Sequence, residues 1–269
     1  MFPRTRQNVS VYVANYGSSD ITCLDAKKKE RGPGKIPLPF QPFGVAADKK
    51  RRRVYVTDGD EVTVIDPKTR TITNHIQVQK QAAFPALNPK GTRLYVPNFR
   101  SDTVSVIDTE QEKVIHTVAV GSQPSHAAVD GEGRYLYVTN YAGCTVSVID
   151  TAMLEVPGAQ DAVIATISVD MNPHGVVVDA ANAFVYVACQ ESRKMDIIDV
   201  AQKQVIARLD VGDSPEGIAI TPDGKEVWVA NVSSNTVSVF DVATRTLKMT
   251  IAIESPLEIV MWGNYALIS

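Results

Sequence analysis

A segment of five or six residues recurs along the chain and constrains the fold more than any other feature. Val11–Asn15 (VYVAN), Val54–Asp58 (VYVTD), Leu94–Asn98 (LYVPN), Leu136–Asn140 (LYVTN), Val185–Cys189 (VYVAC) and Val227–Asn231 (VWVAN) are one motif. Its aromatic position falls at Tyr12, Tyr55, Tyr95, Tyr137, Tyr186 and Trp228, spaced by 43, 40, 42, 49 and 42 residues. Self-similarity at such a period marks a repeat architecture, and it takes precedence over local readings. The longest interval holds extra residues around Leu154–Asp161, with Pro157 and Gly158, and reads as a loop insertion.

Each motif is followed by an alternating segment such as Thr103–Asp108 (TVSVID), Thr145–Asp150 (TVSVID) or Thr236–Asp241 (TVSVFD). A third segment follows, such as Val114–Val120 or Val205–Val211, and then a short apolar strand after a proline, such as Gly217–Thr221. Alternation of β-branched and small polar residues is a strand signature. Pro222–Lys225, Asn88–Gly91 and Asp130–Gly133 supply turn residues between strands. Four short strands per repeat, without helical periodicity, predict an all-β chain: a β-propeller of four-stranded antiparallel blades, whose ring arrangement hides most strand edges. The whole chain, 1–269, reads as one propeller domain.

These phrases, with the Gly-x-x-Pro of Gly121–Pro124 and Gly212–Pro215, resemble the YVTN-repeat propellers, a group with lactonase-like and WD40-like relatives. The resemblance spans nearly the whole chain. It implies the fold and leaves the function open, because such propellers include enzymes, electron-transfer partners, surface proteins and nucleic-acid binders.

With strands lettered A to D outward from the channel, five complete blades begin near Gly44, Phe84, Ala127, Gly175 and Gly217. The N-terminus supplies B, C and D strands, and Leu257–Trp262 supplies an A strand, so both ends together close a sixth blade. Tyr265–Ser269 resembles a further B strand and keeps a seventh blade as the alternative to the preferred six.

Chain direction places the D-to-A and B-to-C loops on one face, and loops on a rigid scaffold are where function concentrates. The two residues after each repeat's proline position include His126, His174, Glu216 and Glu258, from four neighbouring blades. Two imidazoles and two carboxylates at one channel mouth suit acid–base chemistry near neutral pH. They are also candidate ligands for a divalent metal, His126 and His174 above all, although no cofactor is expected. Phe43, Phe84 and Ser125, with Tyr16, Arg100 and Tyr141 from the B-to-C loops, are the candidate substrate-binding residues. Strict alternation argues against convergence: His126 and Glu258 take the second position, His174 and Glu216 the first, and adjacent strand positions point opposite ways. The repeated Asn15, Asn98, Asn140 and Asn231 are assigned to turn geometry.

The opposite face carries Lys27–Lys29 and Arg31 in one connection and Lys49, Lys50, Arg51, Arg52 and Arg53 in the next blade's turn, a candidate polyanion-binding patch. The net charge of -3 does not organise the whole chain around nucleic acid. No P-loop, dinucleotide fingerprint or nucleophile elbow is present. Cys23, Cys144 and Cys189 form no CxxC pair, so neither a zinc site nor a disulfide framework is expected. No apolar run is long enough for a spanning helix, and no signal-peptide pattern precedes the first strand. A cytoplasmic location is therefore expected, with a secreted protein whose leader has been removed as the alternative.

The functional expectation is a small-molecule site over the channel, with lyase, hydrolase or cyclase chemistry available to its His and Glu groups. A non-catalytic protein-interaction scaffold and polyanion or nucleic-acid binding through the Lys27–Arg53 face are the alternatives.

Overall fold

The computed structural model describes residues 10–25, 30–155, 162–262 and 265–268. Lys27–Lys29, Pro157 and Gly158 lie outside the described residues, as does the side chain of Arg31. Five four-stranded antiparallel sheets follow one another, each in the order expected of a blade. The second of the five has its strands at Ala86–Leu87 (β8), Arg93–Asn98 (β9), Thr103–Asp108 (β10) and Lys113–Ala119 (β11). The third comprises Pro124–Val129 (β12), Tyr135–Asn140 (β13), Thr145–Asp150 (β14) and Val163–Ser168 (β15). The inner strands of the others are Pro42–Asp48 (β4), Pro173–Val178 (β16) and Pro215–Ile220 (β20). β12, β16 and β20 pack side by side around the channel.

The core lies between blades. Strands such as β9 and β14 have four or five successive buried residues, because each blade is covered on both faces by its neighbours. Period-2 alternation divides their side chains between the two interfaces. Leu136 and Val138 face the preceding blade with Tyr95, Val104 and Val106. Tyr137 faces the next, with Val185, Val187 and Ile198. Tyr55, Tyr95, Tyr137 and Tyr186 are all 2% exposed or less, which explains why the motif keeps a large aromatic there. Full burial of each contributes on the order of 1.5–3 kcal/mol.

The chain ends form two smaller sheets. Ser10–Asn15 (β1), Asp20–Asp25 (β2) and Glu30–Pro37 (β3) form a three-stranded sheet. Ile259–Trp262 (β24) pairs with Tyr265–Ile268 (β25). β24 packs beside β20 as an inner strand should. The expectation that Leu257–Trp262 would pair with the N-terminal strands is corrected: among the described residues the sheet partner of β24 is β25, in register from Ile259↔Ile268 to Trp262↔Tyr265. The B-strand resemblance of the tail is thus expressed as actual pairing. No helix among the described residues is long and apolar enough to cross a membrane.

Candidate functional site at the channel mouth

The D-to-A and B-to-C loops emerge together, and backbone hydrogen bonds tie them: Tyr141 N–H to Gln123 O at 2.8 Å, Gln190 N–H to Asn172 O at 2.9 Å, Val232 N–H to Ser214 O at 3.0 Å. The inner strands begin beneath these loops with an irregularity. In β12, Pro124 opposes Asn140 and Ala127 opposes Val138, so Ser125 and His126 together face only Thr139. The same shift follows Pro173 and Pro215. Two residues against one is a β-bulge, and a bulge interrupts side-chain alternation. The opposite-facing expectation is corrected for this reason at His126, His174 and Glu216, and His126 meets both His174 and Glu258, the residue just before β24, at the mouth.

Their contacts are specific. His126 Nε2 lies 3.2 Å from Glu258 Oε1, and His126 Nδ1 lies 3.2 Å from Ser125 Oγ. The Phe84 ring stacks on His126 with centroids 3.8 Å apart and 11° between planes. His174 stands 4.6 Å from His126 and meets the edges of Phe84 and Tyr141. The Tyr141 hydroxyl donates to Gln190 Oε1 at 2.7 Å, and Gln190 Nε2 donates to Glu216 Oε1 at 2.7 Å. Ser125, His126 and Glu258 line up as a nucleophile, base and acid would. Ser125 is 2% exposed.

Burial governs the protonation of this group. It lowers His126 and His174 to about 3, with the neighbouring His126 adding to the effect at His174. It raises the Glu258 carboxyl to about 7 and, together with the charge of Glu258, raises Glu216. The expectation of imidazoles titrating near neutral pH is corrected: desolvation keeps both rings neutral. The group poised near neutrality is Glu258, which keeps 30% of its side chain accessible. His174 Nδ1 is sealed from solvent without a hydrogen-bond partner.

The other candidates lie elsewhere. Tyr16 and Phe43 form a separate edge-on pair with centroids 5.4 Å apart. Arg100 lines a surface cleft of about 370 Å³ with Gly59, Asp60, Lys80 and Gln81. Among the described residues no group of three or more His, Cys, Asp or Glu is placed to hold a metal ion. Gln190 links Tyr141 to Glu216, and that role depends on inter-blade distances that one repeat does not encode.

On the opposite face, Lys50, Arg51 and Arg53 line a cleft of about 510 Å³ with Lys90, Thr109, Glu110 and Glu112. Arg51 binds Asp48 and the Gly91 carbonyl, and Arg53 meets Glu112 at 3.3 Å. Lys49 and Arg52 are exposed. The cleft is therefore mixed in charge rather than uniformly basic.

The sequence profile described as YNCE-like β-propeller matches residues 39–255. Among solved structures, the Kuenenia stuttgartiensis hydrazine synthase is 17% identical with a TM-score of 0.84, covering 100% of this chain and 95% of that one. A functionally unknown protein from Desulfotomaculum acetoxidans DSM 771 is 15% identical with a TM-score of 0.79, covering 93% of this chain and 81% of that one. At these identities the likeness concerns the fold alone. No curated protein matches the chain.

Proposed function

We propose that this chain, which belongs to the YNCE-like β-propeller family, binds a small molecule over its central channel, at the cluster of His126, His174, Glu216 and Glu258. The observation carrying this reading is the convergence of four titratable groups from four inner strands, with a buried His174 nitrogen lacking a partner. A purely structural cluster gains stability by satisfying such atoms, since an unmade buried hydrogen bond costs about 1–3 kcal/mol. A ligand supplies the missing partner. In catalysis, Glu258 is the group to give or take a proton near neutral pH, with His126 Nε2 3.2 Å away. His174 and Tyr141 orient the ligand, and Phe84 forms the floor. Lyase, hydrolase and cyclase steps all use such proton transfer.

The test is a thermal-shift screen of metabolites and metals on the wild type and His174→Ala. A compound that raises the melting temperature of the wild type alone supports the site. Equal shifts in both proteins, or none across the library, contradict it.

A second reading has its own observation. Tyr16, Phe40, Met171 and Leu257 are exposed apolar side chains on loops of this same face. Apolar rims of this kind suit a protein partner. Substituting Phe40 and Met171 by serine reduces partner binding in the scaffold reading and leaves ligand stabilisation intact in the first.

A further inference from the structure

We propose a second binding site on the mouth face, apart from the histidine cluster. It is the cleft between the first two complete blades, where Lys80 and Arg100 take the carboxylate of a small aliphatic or aromatic acid.

Three connections build the cleft. Gly59 and Asp60 form the two-residue turn between β5 (Arg53–Asp58) and β6 (Glu61–Asp66). Lys80 and Gln81 follow β7 (Thr71–Gln77), and Arg100 lies between β9 and β10 of the next blade. Backbone hydrogen bonds fix the three to one another: Ala82 N–H to Gly59 O at 2.8 Å, Phe99 N–H to Gln81 O at 2.8 Å and Arg100 N–H to Lys80 O at 3.1 Å. The enclosed volume of about 370 Å³ is enough for a small organic molecule. The same backbone link recurs at a later junction, where Ser233 N–H donates to Asp213 O at 3.2 Å. The fold itself therefore requires no cation at either position.

The two cations are not neutralised by the protein. Among the described residues neither Lys80 nor Arg100 forms an ion pair, with Asp60 or with any other carboxylate. Asp60 Oδ1 instead accepts the Gln81 N–H at 2.7 Å. Two cations against one carboxylate leave one positive charge in the cleft, which matches a monoanion. Phosphate cradles rely on free, converging backbone N–H groups. Here Lys80 N–H donates to Ser101 Oγ at 3.1 Å, and the N–H groups of Gln81 and Arg100 are occupied as well. Recognition falls to the side chains. The arginine fork matches a carboxylate through two parallel hydrogen bonds, and the lysine adds a point charge. A Cβ on Gly59 would stand 3.4 Å from the Phe40 ring. That ring is 55% exposed, and it offers apolar surface beside the cleft to the body of the acid.

The experiment is isothermal titration of the full chain with benzoate and hexanoate, against benzyl alcohol, benzylammonium and inorganic phosphate. Both carboxylates are expected to bind more tightly than the other three probes. Their affinity should fall about tenfold in Arg100→Gln and further in the Lys80→Gln/Arg100→Gln double variant. It should rise in Asp60→Asn, which keeps an acceptor for Gln81 and removes the opposing charge. Raising salt from about 0.01 M to about 0.5 M should weaken binding. Lys80 and Arg100 are exposed, so both variants keep the wild-type melting temperature and a loss of binding is not a loss of fold. Carboxylate binding unchanged in the double variant would place the acid elsewhere and overturn the assignment. Tighter binding of phosphate, benzyl alcohol or benzylammonium than of benzoate would overturn the ligand class. Absence of binding by both carboxylates would overturn the site. The mouth cluster takes no part in this cleft, so none of these outcomes bears on the reading proposed for it.

Discussion

Thr139 shows how much a single letter of the repeat does. Its hydroxyl accepts the His126 N–H at 3.0 Å and donates to the His174 carbonyl at 2.7 Å, satisfying the bulge that turns both histidines toward the mouth. Thr57 serves Gly44 in the same way. Where the motif has Pro97 instead, the matching inner strand shrinks to Ala86–Leu87, and Phe84 pairs across to His126 in the next blade. Glycine sets the spacing. A Cβ on Gly175 would lie 2.2 Å from the Glu216 carbonyl oxygen, whereas one on Gly17 would meet nothing within 4 Å. Gly175→Ala should therefore lose about 2 kcal/mol or more in urea denaturation, with Gly17→Ala close to neutral. Glu258 carries the residue-scale pH effect. Its carboxyl is raised from 4.5 to about 7, so in that interval the folded protein retains a proton that the unfolded chain has released. Stability from this group is full below about 4.5 and is lost as pH climbs through 7. The histidines, lowered from 6.5 to about 3, act in the opposite sense, losing their contribution as pH falls. Urea midpoints from pH 4.5 to 8 should rise more steeply in Glu258→Gln than in the wild type, because the two histidine contributions are then unopposed; parallel curves would contradict the assignment.

At the scale of the blade, the motif's asparagine links strand B to strand C. Asn98 Nδ2 donates to Thr103 and Ser105, Asn140 Nδ2 to Thr145 and Ser147, and Asn231 Nδ2 to Thr236 and Ser238, all within 3.1 Å. The same side chain explains the glycine of Gly-x-x-Pro: a Cβ on Gly121 would sit 2.6 Å from the Asn140 amide. The turn-geometry assignment was therefore right about the region and incomplete about the cause. Asn140→Ala should cost about 1–3 kcal/mol, read from the denaturation midpoint, without displacing the mouth cluster. Strand order and the inter-blade aromatic were legible in the sequence because alternation and spacing encode them directly. The channel-mouth position of His126, His174, Glu216 and Glu258 was legible too, but the way round the alternation that argued against it was not, because a bulge is a relation between two strands, visible only when Pro124 is seen opposite Asn140. The protonation of the imidazoles was hidden for a similar reason. Burial by Phe84 and by the neighbouring blades determines it, and no local motif records that.

The whole molecule places polar chemistry where the inner strands come closest. Contact between His126 and Glu258, 132 residues apart in sequence, arises because three successive four-stranded sheets turn the chain between them. Among the described residues, the strands near the two ends of the chain, which the repeat pattern joined into one blade, form separate sheets. The claim that matters most is that the mouth cluster is a neutral-imidazole site that receives a ligand. With only four histidines in the chain, a ¹⁵N histidine side-chain spectrum recorded against pH and with each stabilising compound from the thermal-shift screen tests it directly. The expected result is that His126 and His174 keep neutral-imidazole shifts down to about pH 5, below the ordinary histidine value near 6.5, and that His174 moves on addition of such a compound. Titration of both rings near 6.5, with no response of His174 to any compound from the screen, would contradict it.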